Sequence, residues 1–151
     1  MASHFKNSLG HLQNVLRLTQ YHRRQEAGTD MNRRVLIVDD DKDVRYLLRV
    51  MLNRAGFDVV EASNGEQALE LLHASPPMAC VLDVMMPKMT GLEVCRRVRA
   101  NDQTRTVPVI ILTAYDSEIN RLEAFRAGAT EFIAKPFSAR NLVERVRQMV
   151  D

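Results

Sequence analysis

The sequence contains few of the residues that mark fibrous, disulfide-bonded or membrane-spanning proteins. Only 6 glycines and 5 prolines occur in 151 residues, which excludes collagen-like and low-complexity chains. Two cysteines, with no CxxC pair and no cysteine–histidine cluster, argue against a disulfide scaffold or a zinc site and fit a reducing cytoplasm. The longest apolar runs have about five residues, whereas a membrane-spanning helix needs about 20. We therefore expect a cytoplasmic protein with no membrane partner.

The overall composition is that of a globular protein, with 46% hydrophobic and 26% charged residues. The excess positive charge lies near the amino terminus, where residues 1–32 hold four basic and two acidic residues. The rest of the chain is balanced, which gives no support for direct nucleic-acid binding by this chain. The shift in composition predicts an N-terminal helical extension or linker over residues 1–30 and a main domain over residues 33–151.

From residue 33 onward, short apolar runs alternate with helical patterns. Each run is rich in β-branched residues, as in strands that are buried on both faces. The predicted strands are 35–38, 58–62, 79–84, 107–113 and 130–134. Stripes of apolar residues at helical spacing follow each of them. Five strands alternating with five helices predict a doubly wound parallel sheet of the α/β class.

Cap residues support four of the five predicted helices. Asn64 and Ser138 are suited to the amino-terminal caps of the second and fifth helices. Gly56 and Gly128 stand where the first and fourth helices should end. Ile119, Leu122 and Phe125 mark the fourth helix, and apolar stripes of this kind predict which face of each helix covers the sheet.

Polar residues stand at the ends of four predicted strands. The first strand ends in Asp39, Asp40 and Asp41, and the third ends in Asp83. The fourth ends in Thr113 and the fifth in Lys135. Parallel strands bring their carboxyl ends to one edge, where ligands bind in such sheets. Crowded carboxylates repel one another unless a cation neutralises them, and hard oxygen ligands in an open site favour Mg²⁺.

This arrangement resembles the receiver domain of two-component response regulators. The matching segments are 35–41 (VLIVDDD), 82–91 (LDVMMPKMTG), 111–114 (ILTA), 127–129 (AGA) and 135–137 (KPF). The resemblance implies the strand order 2-1-3-4-5. It also implies a sensor histidine kinase or a histidine phosphotransfer protein as the partner that donates the phosphoryl group.

The resemblance gives each residue of the site a role. Asp83 is expected to accept the phosphoryl group, assisted by Mg²⁺ held by Asp39, Asp40, Asp83 and the backbone carbonyl of Met85. Lys135 is expected to pair with Asp83 and then with a phosphoryl oxygen, and Pro136 to follow it through a cis peptide bond. Asp41 lies outside the family's acidic pair and is expected to cap the first helix.

The resemblance also implies a switch. Thr113 is expected to donate its hydroxyl to the phosphoryl group, and Phe132 to turn into the space that Thr113 vacates. The signal would then reach a face formed by the fourth helix, the fifth strand and the fifth helix. The domain would act as a signalling receiver rather than an enzyme, catalysing only its own phosphorylation and dephosphorylation.

Two other functions were compared with the receiver. A haloacid-dehalogenase-type phosphohydrolase would also use Asp83 as its nucleophile, but it needs an acid two residues later, where Met85 stands. A flavodoxin-like flavin binder needs a phosphate-binding loop after the first strand, where this chain has three aspartates. The sequence leaves open a stand-alone regulator, a phosphorelay shuttle or part of a larger protein.

An apolar seam lies in the first 20 residues. Phe5, Leu9, Leu12 and Leu16 are spaced as on one face of a helix, but over less than two heptads. The pattern is typical of an amphipathic helix that packs on its own domain or on another copy. We favour the second copy, which gives a homodimer through residues 5–20.

Overall fold

The structure is a computed structural model that describes residues 33–150. Its elements alternate strictly between strand and helix. The strands are β1 Arg34–Val38, β2 Asp58–Ala62, β3 Ala79–Asp83, β4 Val109–Thr113 and β5 Glu131–Ala134. The helices are α1 Lys42–Arg54, α2 Gly65–Ala74, α3 Gly91–Ala100, α4 Glu118–Arg126 and α5 Ala139–Val150. The predicted N-terminal helix and its seam lie outside the described residues.

The five strands form one parallel sheet in the order β2-β1-β3-β4-β5. Fold class and strand order are therefore confirmed. β4 begins at Val109, two residues later than predicted, so Pro108 precedes the strand. Its carbonyl still accepts a hydrogen bond from the amide of Cys80. Among residues 33–150, no helix is long and apolar enough to span a bilayer.

Two apolar clusters cover the two faces of the sheet. One contains buried residues of α1 and α5, such as Leu48 and Leu142. The other contains residues of α2, α3 and α4, such as Leu72, Val94 and Ala124. β3 and β4 are buried along their whole length. The central strands therefore carry their last residues to the sheet edge from a closely packed interior.

The helices begin and end at the residues that the sequence indicates. The side chains of Asp41, Asn64 and Ser138 accept hydrogen bonds from amides in the first turns of α1, α2 and α5. Gly56 and Gly128 have φ angles of 94° and 104°, which favour glycine after α1 and α4.

The predicted inner stripe of α4 is wrong. Ile119, Leu122 and Phe125 are 69%, 51% and 48% exposed, and Ala124 is the buried residue of this helix. Leu47 of α1 is exposed as well. In α4 the three large residues recur every third position, so they drift around the helix, and a small alanine makes the close approach to the sheet.

Arg99 ties α3 to two loops at the amino-terminal edge of the sheet. Its guanidinium donates to the carbonyls of Val107 at 2.6 Å, Gly128 at 2.9 Å and Arg105 at 2.9 Å. A fourth bond reaches the hydroxyl of Thr130 at 3.3 Å. A Cβ at Gly128 would meet the stem of Arg99. This edge is therefore fixed by one side chain from α3.

Both cysteines belong to the core, as expected. Cys80 in β3 and Cys95 in α3 are free thiols with no exposed surface. Burial raises the pKa of each thiol above its ordinary value. Neither is a redox site in this arrangement, because a reactive cysteine needs an accessible thiolate.

Candidate functional site

The strands bring the sequence-predicted polar residues to one edge of the sheet. Val38 lies opposite Leu82, so Asp39 and Asp83 follow side by side at the ends of β1 and β3. Thr113 ends β4 and lies opposite Ala134, directly before Lys135. The last residues of β3 and β4 and the residues that follow β1 and β5 thus lie at the same edge of the sheet.

Three carboxylates cluster at this edge of the sheet. One oxygen each from Asp39, Asp40 and Asp83 lies within 4.8 Å of the other two. Asp39 and Asp83 are buried, and Asp40 is exposed. Three negative groups at this distance repel one another, and the repulsion is strongest between the two that water screens least.

Lys135 partly balances this charge. Its Nζ donates to Oδ1 of Asp83 at 3.2 Å and to Oδ2 of Asp39 at 3.3 Å. The peptide bond between Lys135 and Pro136 is cis, as the resemblance implies. One ammonium faces three carboxylates, so the cluster keeps an excess of negative charge when all three are ionised.

The burial of these groups changes their protonation. Burial raises the pKa of Asp83, and the charge of Asp39 raises it further, against a smaller opposing effect from Lys135. Burial alone would lower the pKa of Lys135, but the two carboxylates outweigh it and the net pKa is raised. Ionising Asp83 in the folded chain therefore costs free energy, whereas Lys135 stays charged.

Asp39 is held by the cap residue and the first turn of α1. The amide of Asp41 donates to Oδ1 of Asp39 at 2.9 Å, and the guanidinium of Arg45 donates to the Asp39 carbonyl at 2.7 Å. Arg45 also lies 3.5 Å from Glu61 on β2, which pairs with Arg49 as well. Arg45 and Glu61 were not among the predicted site residues, because their only mark in the sequence is opposite charge on neighbouring elements.

Gly91 allows α3 to begin directly under the nucleophile candidate. A Cβ at this position would collide with the backbone carbonyl of Asp83. The Gly91 amide donates to the carbonyl of Val84 at 3.0 Å, which closes the β3–α3 loop. The close approach of the Asp83 backbone thus explains why the segment 82–91 needs a glycine at position 91.

A cleft of about 250 Å³ lies beside Thr113 and Phe132. Both residues are buried, and Met85, Tyr115 and Asn120 also line the cleft. The Met85 side chain is 59% exposed at this mouth. Thr113 and Phe132 therefore share a space into which a side chain can move.

An α/β sheet of this order with an acidic cluster and a lysine at its carboxyl edge is the architecture of a phosphate-handling signalling module. The sequence model of the response regulator receiver domain matches residues 35–147. The chain belongs to this family. It is a phosphoaccepting domain of two-component signalling, and the haloacid-dehalogenase alternative receives no support.

Similar proteins carry this domain in different settings. The chain is 42% identical over 120 residues to the transcriptional regulatory protein SrrA of Staphylococcus aureus (strain NCTC 8325 / PS 47), which covers 80% of this chain and 48% of that protein. It therefore spans about half the length of this curated relative.

Two solved structures extend the comparison. The chemotaxis protein CheY4 of Vibrio cholerae is 32% identical with a TM-score of 0.75, over 80% of this chain and 99% of that chain. The signal receiver domain of a signal transduction histidine kinase from Syntrophus aciditrophicus is 30% identical with a TM-score of 0.73, over 78% and 89%.

The donor set of the acidic cluster fits a small divalent cation. Members of this family generally bind Mg²⁺ through such a cluster, and three carboxylates with one exposed member offer the hard, open ligand set that this ion takes. Burial, and after it the charge of Asp39, raises the pKa of Asp83, and a cation bound beside these carboxylates would favour their ionised form.

Proposed function

We propose that Asp83 is the phosphoacceptor of this receiver. The observation that carries the proposal is the contact of its buried carboxylate with Lys135 beside Asp39 and Asp40. A carboxylate is a weak nucleophile toward an anionic phosphoryl donor, so positive charge must offset the charge of the donor's oxygens. Lys135 supplies one such charge, because its compact ammonium acts as a point charge at the end of a flexible side chain.

Asp39, Asp40 and Asp83 would hold Mg²⁺, together with the backbone carbonyl of Met85. When bound, the ion neutralises charge that builds on the transferring phosphoryl oxygens. Asp83 then attacks phosphorus through a carboxylate oxygen while the bond from phosphorus to the donor histidine nitrogen breaks. Lys135 exchanges its contact with Asp83 for a phosphoryl oxygen. The later hydrolysis by water returns the carboxylate, so the domain catalyses only its own modification.

Thr113 would donate its hydroxyl to the phosphoryl group, and Phe132 would move into the adjacent cleft. Both residues line the same space of about 250 Å³, which supports this coupling. Phe132 has no hydroxyl, so its part in the switch is steric. The face of α4, β5 and α5 would read the change.

The donor would be a sensor histidine kinase or a histidine phosphotransfer protein, as for receivers in general. We propose that the receiver comprises residues 33–151, with residues 1–30 as a separate extension, and that it acts in the cytoplasm. The relative SrrA is a transcriptional regulatory protein, but the balanced charge of residues 33–151 still predicts no nucleic-acid binding by this chain.

Phosphorylation by acetyl phosphate tests the proposal. Intact-mass spectrometry of the full chain should show one added phosphoryl group, formed only when Mg²⁺ or Mn²⁺ is present. Asp83→Asn should abolish it, whereas Asp102→Asn, at a side chain that is 97% exposed and far from the cluster in sequence, should not. Unchanged labelling of Asp83→Asn would overturn the assignment.

A further inference from the structure

The β4–α4 loop is held by two neighbouring residues of α4. The amide group of Asn120 donates to the carbonyl of Tyr115 at 3.0 Å. The guanidinium of Arg121 donates to both carboxylate oxygens of Asp116, at 2.8 and 3.4 Å. Each residue therefore bonds one residue of the loop that follows Thr113.

The backbone of Tyr115 connects Asn120 to Thr113. The amide of Tyr115 donates to the hydroxyl oxygen of Thr113 at 3.1 Å, while its carbonyl accepts from Asn120. The two peptide groups that flank the Cα of Tyr115 are thus each held by one hydrogen bond. Thr113 cannot turn toward Asp83 without lengthening the bond from the Tyr115 amide, and the bond from Asn120 restrains the backbone of Tyr115 from following.

Arg121 makes a second contact, with Phe132. Its guanidinium lies 5.1 Å from the centroid of the ring, within the range of a cation–π interaction. Asp116 fixes the same guanidinium from the loop side. The position of the ring is therefore linked to the loop through one charged side chain, although the ring itself has no polar group.

We propose that Asn120 and Arg121 are positioning residues, which hold Thr113 and Phe132 in the orientation of the unphosphorylated domain. The two switch residues lie on different strands, yet their restraints come from adjacent positions in the first turn of α4. Movement of that turn therefore releases both together. This inference rests on the proposed function of Thr113 and Phe132 and adds the element that couples them.

Hydrogen exchange of the unphosphorylated full chain tests the Asn120 contact. Asn120→Asp keeps the size of the side chain but removes its N–H donor. The Tyr115 amide should exchange about fivefold faster, the factor that corresponds to one neutral hydrogen bond of about 1 kcal/mol. Ile119→Asp is the matched control, because it adds the same charge to the same turn at a residue that is 69% exposed.

NMR of the unphosphorylated full chain and of its Arg121 variants tests the Arg121 contact. Arg121→Met should shift the ring resonances of Phe132 and move the amides of 131–134 toward their positions in the parent treated with acetyl phosphate and Mg²⁺. Arg121→Lys should restore part of the ring shift, because the cation remains. Arg126→Met removes the same charge from the same helix and should change neither set.

The outcomes separate this inference from the proposed function. Equal Tyr115 exchange in Asn120→Asp and Ile119→Asp, or equal Phe132 shifts in Arg121→Met and Arg126→Met, would overturn the positioning role. Both of these comparisons between variants use the unphosphorylated chain, so they stand even if Asp83 fails to accept phosphate; only the direction of the 131–134 shifts needs the phosphorylated parent. Melting temperatures close to the parent value would show that the shifts do not report general loosening of α4.

Discussion

Lys135 is shared between two buried carboxylates, and this sharing governs the electrostatics of the site. Its ammonium contacts Asp39 and Asp83 but makes no hydrogen bond to Asp40 among the described contacts. Asp40 thus adds a negative charge that only water and counter-ions screen. An exposed carboxylate in this position weakens the fold in the absence of metal and attracts a cation when one is present.

Asp40→Asn should therefore raise stability in EDTA by a few degrees of melting temperature and remove the stabilisation that Mg²⁺ gives to the parent. The reason is the loss of repulsion with Asp39 and Asp83. Thermal melts with and without Mg²⁺ measure both effects. Asp58→Asn, at an exposed aspartate at the start of β2, is the control. A lower melting temperature of Asp40→Asn in EDTA would contradict the repulsion argument.

The raised pKa of Asp83 predicts that its contribution to folding stability depends on pH with the opposite sign to that of a salt-bridged aspartate. Its pKa in the folded chain lies above 3.8, so the folded chain holds a proton at pH values where the unfolded chain has lost it. Stability contributed by this group is complete below pH 3.8 and is lost as pH rises through the folded pKa.

Asp83→Asn should consequently gain stability relative to the parent as pH rises above 3.8, with little difference below it. Urea unfolding at several pH values without metal gives the difference in free energy. The same series on Asp102→Asn should show no such trend. A difference for Asp83→Asn that stays constant from acid to neutral pH would mean that burial does not penalise the carboxylate.

At the scale of single elements, the strands were more predictable than the surroundings of the site. β-Branched runs between turn residues indicated all five strands, and the rule that parallel strands end at one edge brought Asp39, Asp83, Thr113 and Lys135 together. The contacts of Arg45 could not be predicted, because they depend on how far a long side chain reaches between elements.

Helix α4 shows a second limit of sequence patterns. Its large apolar residues suggested an inner face, whereas the residue that packs into the core beside the sheet is Ala124. Spacing describes which residues share a face, but it does not determine whether that face is covered. Close packing of a helix on a sheet is possible through a small residue, which leaves the larger ones outside.

Arg99 gives a testable prediction for helix α3. Arg99→Met keeps most of the apolar stem but leaves the carbonyls of Val107 and Gly128 without the guanidinium. Stability should fall by about 2–4 kcal/mol, since several hydrogen bonds to a charged group are lost. Chemical denaturation provides the measurement.

Arg96→Met is the matched control for this helix. Arg96 is exposed and pairs with Glu93, so its loss should cost less than about 1 kcal/mol. Equal losses for the two variants would show that the bonds of Arg99 contribute no more than a surface ion pair.

At the scale of the whole molecule, self-association through residues 5–20 stays a prediction. The domain itself also has spare apolar surface, because α4 exposes large apolar residues. The seam of Phe5, Leu9, Leu12 and Leu16 remains a reason to expect association, since such a stripe is stable as a helix only when something covers it.

Sedimentation measures this association. The full chain should show a larger mass at high concentration than a shortened chain that begins at Met31. A third sample, Leu9→Ser and Leu12→Ser in the full chain, keeps the length and should behave like the shortened chain. Equal masses for all three samples would exclude a homodimer through the seam.

The two buried cysteines make the domain convenient for fluorescence work. Thiol reagents need an accessible thiolate, and Cys80 and Cys95 offer none in the folded state. A single Gln103→Cys substitution, in the exposed loop after α3, would therefore take a dye selectively without removal of the native thiols. The dye would stand at the edge that Arg99 fixes, away from the cleft, and could report on binding partners while leaving the phosphorylation chemistry undisturbed.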